Sequence, residues 1–217
     1  MNENNNALIL GTVKEAPVLS HQSYGVDYYK MHIEVNRTSG NVDIVPVIIS
    51  SRCMKKMDRL TNGTVVEIMG EFRSYNKMNE EKKHLELFVF AKECNILDPD
   101  GEEYADKLQN GSKYINYVYL DGNIGKPVIY RKTPMGLEIA DILLAVNRGT
   151  KKTDFIPIIV WGNDAKFASS LEVGTHVQIE GRIQSRLYTK QISETEKEER
   201  TAYEVSSFYF HKVREYD

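Results

Sequence analysis

The feature that most constrains the fold is an internal repeat with an offset of 111 residues. Residues 25–74 align without a gap onto residues 136–185, and 15 of the 50 aligned positions are identical. Both copies contain Val-Asn-Arg, five further residues, Asp, two residues, Pro, one residue and Ile. Self-similarity of this kind indicates that one structural unit occurs twice. The sequence therefore predicts two domains of the same fold, over residues 1–97 and 115–217.

A shift in composition marks the boundary between the copies. The segment DPDGEEYADKLQNGSKY (98–114) has five acidic and two basic residues, which account for the whole formal net charge of −3. It also contains Pro99, Gly101 and Gly111 and little apolar periodicity. This pattern predicts an acidic linker, either without helix or with one short helical turn around EEYADKL.

Apolar periodicity predicts an all-β fold. In TVVEIMGEF (64–72) and THVQIEGRI (175–183), apolar residues and Gly alternate with other residues, as in half-buried strands. Only one short stretch in each copy has a helical pattern, residues 51–60 and 162–171. Several short strands with turn signals and one helix suggest a small closed barrel. We predict two tandem OB-fold five-stranded barrels, each with one short helix between strands 3 and 4.

The fourth and fifth strands of each copy supply two further predictions. Gly70 and Gly181 interrupt the fourth strands, which suits a sharp bend at a barrel corner. LELFVFA (85–91) aligns with YEVSSFYF (203–210) only if seven residues are inserted in the second copy. We therefore expect a long loop between the last two strands of the second copy.

Several classes of protein are excluded by what the sequence lacks. A run of 18 apolar residues is absent, so no transmembrane helix is expected. The polar, acidic start MNENNNALIL differs from a secretory signal, and we expect a cytoplasmic protein with Cys53 and Cys94 reduced. GNIGKP (122–127) lacks the spacing of a phosphate loop, and the histidines lack the spacing of a metal site. The sequence predicts a binding protein without cofactor, metal or catalytic residues, and not an enzyme.

The candidate ligand face lies on the third strand of the second copy. One face of this strand has Phe155, Pro157, Ile159 and Trp161, whereas the other face has only aliphatic residues. At about 3.3 Å per residue, the two aromatic residues lie about 20 Å apart, which suits several unstacked bases. Stacking on aromatic side chains is tolerant of base sequence. The first copy has Ile44 and Ser50 at these positions, and we predict that its ligand face is degenerate.

Basic residues on the neighbouring turns and loops are candidate phosphate contacts. In the second copy they are Arg131 and Lys132 after the first strand, Arg148, Lys151 and Lys152 before the third strand, and Arg182, Arg186 and Lys190 near the last loop. Tyr188 in that loop is a third candidate stacking residue. Arg73 and Tyr75 in the first copy are secondary candidates.

At this point the second copy is similar to a known family. LLAVNR, TDFIPIIVWGNDAK and LEVGTHVQIEGRIQSR resemble bacterial single-stranded DNA-binding proteins, and the resemblance extends over most of residues 117–210. The first copy resembles them more weakly, through EVNR and NGTVVEIMGEF. The resemblance implies binding of single-stranded DNA without strong sequence preference, in replication, recombination or repair. It also implies a homodimer with four OB barrels.

Two alternatives remain open at the level of sequence. Members of the family usually end in a flexible tail with an acidic tip that recruits replication and repair enzymes, whereas HKVREYD follows the last predicted strand here. Recruitment by that route is not expected, which raises the alternative of a primosome-type or mobile-element accessory OB protein. The other alternative is a protein-interaction scaffold whose aromatic residues form an interface. Binding to nucleic acid should weaken steeply with salt, whereas a hydrophobic interface should not.

Overall fold

The protein is all-β, as the sequence predicts. The computed structural model describes residues 4–37, 39–54, 59–79, 82–110, 115–149, 151–191 and 197–214. Within these ranges, the copy over residues 1–97, here called repeat one, contains β1 Asn5–Val13, β2 Val18–Ser23, β3 Val26–Asn36, β4 Val42–Ser50, β5 Val65–Asn79 and β6 Lys82–Ile96. After helix α1 Glu102–Asn110, the copy over residues 115–217, here called repeat two, contains β7 Asn116–Ile124, β8 Ile129–Lys132, β9 Glu138–Asn147, β10 Thr153–Trp161, α2 Gly162–Ser169, β11 His176–Gln191 and β12 Lys197–Lys212.

The strand pairings of each repeat form a closed ring. In repeat one, β1 pairs with β3, β3 with β4, β4 with β6, β6 with β5, and β5 again with β1. In repeat two, the ring runs through β7, β9, β10, β12 and β11 and returns to β7. The β4–β6 and β10–β12 pairs are parallel and the other pairs in the rings are antiparallel. Strands β2 and β8 are short additions that pair with β3 and β9.

Alternation along these strands creates the core. On β5, Val66, Ile68 and Phe72 are fully buried, and on β11 the same holds for Val177 and Ile179. Burial of apolar surface contributes roughly 25 cal/mol per Å² and is the main force that stabilises such a unit. The side chains between these residues face away from the core, so each strand has an inner and an outer surface.

Gly70 and Gly181 lie where the register of the last two strands shifts. The shifts occur between Met69 and Gly70 and between Glu180 and Gly181. A Cβ atom on Gly70 would stand 2.2 Å from the carbonyl oxygen of Phe90, closer than van der Waals contact allows. Only glycine therefore permits the neighbouring backbone to approach at this irregularity.

The predicted long loop of repeat two is a β-hairpin. Pairing between β11 and β12 continues outward to Gln191 and Lys197, and the β5–β6 hairpin of repeat one extends similarly to Asn79 and Lys82. Main-chain hydrogen bonds satisfy the backbone along both hairpins, which a long irregular loop could not do. Residues 192–196 lie outside the described residues.

The sequence alignment of the last strands is wrong by two positions. Val47 pairs with Val89 in repeat one, and the equivalent Ile158 pairs with Val205 in repeat two. Residue 89 therefore corresponds to residue 205, and five residues are inserted in the second copy rather than seven. Only the lateral pairing of strands distant in sequence fixes this correspondence.

The helices differ in part from the prediction. Helix α2 covers most of the predicted residues 162–171. In repeat one, residues 51–53 form a turn, and residues 55–58 of the predicted helix lie outside the described residues. Helix α1 in the acidic segment has nine residues, more than one turn, and Lys107 on it pairs with Glu67 of β5.

The two repeats join along β1 and β7. These strands pair antiparallel with Ala7 opposite Val118, and these residues occupy equivalent positions in the two copies. The pairing is therefore pseudo-symmetric about this point, and the strands of both repeats belong to one twelve-stranded sheet in the described part of the chain.

Candidate nucleic-acid interface

Strand β10 presents its two aromatic side chains to solvent. Phe155 is 38% exposed and Trp161 is 39% exposed, whereas Ile156, Ile158 and Val160 between them are at most 1% exposed. The aliphatic face fills the core, since an exposed aliphatic face would forfeit its burial free energy. The structure thus places the aromatic face on the outside, as expected from the strand period. We call this outer surface of β10 and its neighbouring strands the repeat-two face.

Trp161 is held in position by a hydrogen bond to the adjacent strand. Its indole Nε1 donates to Oγ of Ser206 on β12 at 3.1 Å. The parallel pairing of Ile159 with Ser206 brings these two strands together. An indole fixed at its edge keeps its ring face accessible, which lowers the entropic cost of stacking a ligand on it.

Arg148 contacts a buried carboxylate instead of projecting toward a ligand. Its Nε donates to Oδ2 of Asp154 at 2.6 Å, its Nη2 donates to Oδ1 of the same carboxylate, and Nη2 also donates to the carbonyl oxygen of Ser74 at 2.8 Å. The hydrogen bond to Asp154 raises the pKa of Arg148, with burial acting against it. The prediction of a phosphate contact is therefore not favoured by the geometry. Arg148 is part of the contact between the repeats.

The same turn places two other cations in solvent. Lys151 and Lys152 are exposed, and neither has a carboxylate partner among the described residues. Lys151 adopts a left-handed backbone with φ of 59°. The backbone N–H of Arg148 donates to the carbonyl of Lys152 at 2.7 Å and closes the turn beside Phe155. The ammonium groups of Lys151 and Lys152 fit the predicted role of phosphate contact better than the guanidinium of Arg148 does.

Arg131 and Lys132 lie on strand β8, not in a loop. Arg131 Nε donates to Oδ2 of Asp141 at 2.7 Å, and Lys132 Nζ lies 3.6 Å from Oε1 of Glu138. Hydrogen bonding to Asp141 raises the pKa of Arg131. Arg131 pairs with Ile139, which also pairs with Trp161, so strand β9 lies between this cation and the indole.

The β11–β12 hairpin carries the remaining candidates on its strands. Arg182 is exposed while its neighbour Ile183 is fully buried, so Arg182 lies on the outer surface as expected. Tyr188 is 37% exposed, and the guanidinium of Arg186 lies 6.0 Å from its ring centroid. Lys190 is half-buried further along the same strand.

Sequence reasoning did not identify a carboxylate in the middle of the repeat-two face. Glu204 on β12 accepts a 2.6 Å hydrogen bond from Nε2 of Gln184 and lies 3.9 Å from Nε of Arg186. Its side chain is mostly buried. A carboxyl group at this point makes the middle of the face less favourable for anions than its edges, where the cations lie.

Repeat one carries its aromatic residues on a different strand. Phe88 and Phe90 on β6 occupy the positions of Glu204 and Ser206 on β12, because Ile48 pairs with Phe90 as Ile159 pairs with Ser206. Both rings lie beside the outer surface of β4, whose own outward side chains are smaller than phenylalanine. The outer surface of repeat one thus differs in composition from the repeat-two face.

The two secondary candidates of repeat one border these rings. The guanidinium of Arg73 lies 4.0 Å above the ring centroid of Phe90, and its Nε and Nη2 donate to Glu71 at 2.8 and 2.6 Å. Tyr75, two residues further along β5, is 59% exposed. Arg73 and Tyr75 are therefore close enough to Phe90 to contribute to one surface.

Two kinds of feature are absent from the described residues. No helix in these ranges is long and apolar enough to cross a membrane. No group of three or more His, Cys, Asp or Glu side chains within them is placed to hold a metal ion.

Fold and face together define a class of protein: an all-β chain with two copies of one unit, whose outer surface carries exposed aromatic and basic side chains. Residues 115–210, within repeat two, match the model of the Single-strand binding protein family.

Individual proteins are also similar to parts of this chain. The single-stranded DNA-binding protein of Thermus thermophilus is 28% identical over 146 residues, covering 63% of this chain and 55% of that protein. The single-stranded DNA-binding protein 2 of Listeria innocua is 38% identical over 81 residues, covering 34% of this chain and 51% of that protein. The chain thus spans about half the length of the curated relatives it matches.

A solved structure shares the fold over nearly the whole chain. The wild-type single-stranded DNA-binding protein from Thermus aquaticus matches with a TM-score of 0.74 at 20% identity, covering 98% of this chain and 94% of that chain. A deletion mutant of the same protein matches with a TM-score of 0.72 at 22% identity, covering 98% and 96%. At this level of identity the comparison establishes the fold of both repeats together.

Proposed function

We propose that this protein binds single-stranded DNA through the repeat-two face, without strong sequence preference. One observation carries the proposal: Phe155 and Trp161 are exposed at opposite ends of a strand whose intervening inner side chains are buried. Bases stack on such rings whatever their identity, each contributing about 1–3 kcal/mol. A duplex keeps its bases stacked on each other and offers no free ring faces, so the protein should discriminate against it.

Cations near both ends of β10 can pair with the phosphates of the bound strand. Lys151 and Lys152 are exposed at the Phe155 end, and Arg131 lies near the Trp161 end. Arg182 and Arg186 border the face along β11. Neutralising phosphates releases counterions, so the affinity should fall as salt rises. Since the chain's net charge is −3, these local cations, and not the overall charge, attract the strand.

The finer description of the fold belongs to the same proposal. We infer that each ring of five strands is an OB-fold barrel, with domains at 1–97 and 115–217 and a linker at 98–114. The order of pairings around each ring and the match of residues 115–210 to the family model support this. An OB-fold binds oligonucleotides on the outer surface of its second and third strands, which here are β9 and β10.

The protein is further proposed to act as a homodimer with four barrels, in the cytoplasm, in replication, recombination or repair. Leu8, Met69 and Tyr117 support association, because they lie side by side on the outer surface where β5, β1 and β7 pair. All three are only half-buried in the single chain. Sedimentation velocity should give twice the mass of one chain.

A titration of Trp161 fluorescence tests the binding proposal, since this residue is the chain's only tryptophan. Oligo-dT should quench it, duplex DNA should not, and raised salt should weaken the quenching. The variant F155A should lose roughly 5- to 150-fold in affinity, the equivalent of one stacked base. The variant I44A is the matched control at the equivalent position of repeat one and should bind like the wild type. A protein that neither quenches nor binds in a direct assay would instead favour the interaction scaffold.

A further inference from the structure

We propose that Cys53 and Cys94 form a site of reversible oxidation, at which a peroxide converts the two thiols into a disulfide. Both thiols are free in the structure, and both are partly exposed. They line one cavity of about 240 Å³ between the turn after β4 and the end of β6, together with Met54, Leu60 and Ile96. The inference does not depend on the proposed function, because neither cysteine lies on the repeat-two face.

Cys94 reaches this cavity from the inner surface of β6. It pairs with Ile68 of β5, and residues opposite each other on neighbouring strands have their side chains on the same surface of the sheet. Ile68 is fully buried, so Cys94 lies on the core side, where it packs against the hydrophobic core. Strand pairing fixes the backbone of Cys94, and any movement that brings the sulfurs together must therefore come from Cys53.

Cys53 reaches the same cavity from a turn. Its N–H donates to the carbonyl oxygen of Ser50 at 3.0 Å, and its Sγ accepts a 3.3 Å hydrogen bond from Oγ of Ser50. The Sγ of Cys53 in turn donates to the carbonyl oxygen of Lys92 at 3.2 Å. Lys92 is the extra residue where the register of β6 shifts, two positions before Cys94. This contact places the sulfur of Cys53 beside the segment of β6 that carries Cys94.

Repeat two joins the equivalent segments without thiols. Phe210 stands at the position of Cys94, because the two residues pair with equivalent positions of β11 and β5. Phe210 makes an edge-to-face contact with Phe167 of α2, with ring centroids 6.2 Å apart and planes inclined by 71°. A disulfide in repeat one would likewise join the last strand to the segment that follows the third strand of the ring.

The reaction balances in two steps with hydrogen peroxide as the oxidant. The thiolate of Cys53 attacks one peroxide oxygen, an S–O bond forms, the O–O bond breaks, and the released hydroxide takes the thiol proton to become water. The sulfur of Cys94 then attacks the sulfur of Cys53, an S–S bond forms, and the S–O bond breaks. The leaving hydroxide takes the proton of Cys94. Two thiols and one peroxide thus give one disulfide and two water molecules.

The surroundings of the two thiols assign these roles. Burial, with a smaller effect of Cys53, raises the pKa of Cys94 to about 11, so Cys94 is a poor first nucleophile. Once Cys53 is a sulfenic acid, Cys94 reacts with it inside the shared cavity, where its effective concentration far exceeds that of a thiol in solution. The shift to an S–S bond of about 2.05 Å falls on the turn of residues 51–53.

Brief treatment of the whole chain with hydrogen peroxide, followed by alkylation and non-reducing peptide mapping, tests the inference. In the wild type we expect linked peptides that contain Cys53 and Cys94 and that dithiothreitol separates. The variant C94S should stop at a sulfenic acid on Cys53, which dimedone traps, whereas C53S should keep Cys94 as a thiol. Sulfoxide formation at Met135, which is 88% exposed, confirms in every sample that the oxidant was active.

Thermal unfolding measures whether the bond fastens the two segments together. The linked wild type should have a higher Tm than the reduced form, because a cross-link restricts the unfolded chain. The double variant C53S/C94S, treated identically, should show no such gain. Free thiols in a sample with oxidised Met135, disulfides only between chains, or equal Tm values of the linked and reduced forms would each overturn the inference. The proposed DNA binding would stand in all three cases.

Discussion

The backbone N–H of Ser74 donates a 2.6 Å hydrogen bond to Oδ1 of Asp154, although the two residues lie 80 positions apart and in different repeats. The pseudo-symmetric counterpart is also present: the N–H of Ser185 donates to Oδ1 of Asp43 at 2.8 Å. In each case the aspartate also pairs with an arginine of its own repeat, Asp154 with Arg148 and Asp43 with Arg37. We call these six residues the junction. It fixes each β-hairpin to the start of the other repeat's third strand.

Loss of Arg148 should destabilise the protein much more than loss of an exposed ion-pair partner. Asp154 is 1% exposed, so R148A leaves a buried carboxylate without its cation, which costs about 3 kcal/mol in the free energy of unfolding. R131A is the control, because the Arg131–Asp141 pair is exposed and such pairs contribute about 0–1 kcal/mol. Denaturant unfolding of the two variants measures the difference. Similar losses in both would contradict a structural role for Arg148.

Weakening of the junction should also reduce binding at Phe155. In the variant S74A, the N–H of Phe155 loses its hydrogen-bond acceptor while the rings of Phe155 and Trp161 remain. We expect lower affinity for oligo-dT with the same maximal quenching of Trp161, since the indole is held separately by Ser206. S185A is the matched variant in repeat two. In the wild type, Ser185 Oγ accepts a hydrogen bond from the N–H of Ile44, which lies on a strand without aromatic side chains. Equal effects of S74A and S185A on the affinity for oligo-dT would rule out this positioning role.

Acid should weaken the protein partly through Glu71. Burial disfavours its charged form, but hydrogen bonds from Lys92 and Arg73 outweigh burial and hold the pKa of Glu71 below its ordinary value of 4.5. A carboxyl with a lowered pKa in the folded state stabilises it above the unfolded pKa, and this contribution is lost as the pH falls through the folded pKa. The variant E71Q should therefore lose less stability than the wild type between about pH 5 and the acid limit. If the unfolding free energies of E71Q and the wild type fall in parallel as the pH is lowered, Glu71 does not contribute to the acid destabilisation.

Cys94 should be a slow nucleophile in the folded protein. Burial, with a smaller effect of Cys53, raises the pKa of Cys94 to about 11 from 9.0. Two pH units correspond to roughly a hundredfold smaller thiolate fraction at pH 8, and the thiolate is the reactive form. Iodoacetamide labelling followed by mass spectrometry should show slow modification of Cys94 in the native state and fast modification in guanidinium. Equal rates in the two states would contradict the burial of this thiol.

A methyl group at Gly181 should destabilise repeat two. Its Cβ would lie 2.6 Å from the carbonyl oxygen of Ser206, and the overpacking of rigid backbone typically costs about 1–3 kcal/mol. G149A is the control, because a Cβ at Gly149 meets no atom within 4 Å. Thermal unfolding should separate the two variants by several degrees. A neutral G181A would show that β12 can move away from the bulge.

Much of the architecture follows from the sequence alone. Strand periodicity is visible within one short segment, and duplication is visible when the chain is aligned with itself. The alternation of Phe155 and Trp161 with buried aliphatic residues was predictable, since successive side chains of a strand point to opposite sides. The positions of the repeats and of helix α2 were predictable for the same kind of reason. The exposed cations Lys151, Lys152 and Arg182 also lie on the expected surfaces.

Tertiary structure alone decided which residues meet across the repeats and across strands. Nothing in the sequence near Arg148 indicates that Ser74 accepts its hydrogen bond, and nothing near Phe90 indicates that it replaces Ser206. Both relationships depend on the pairing of segments distant in the chain, where a shift of register exchanges the side chains that face each other. The sequence thus determined the two surfaces of each strand, and the lateral order and register of the strands determined which surfaces became neighbours.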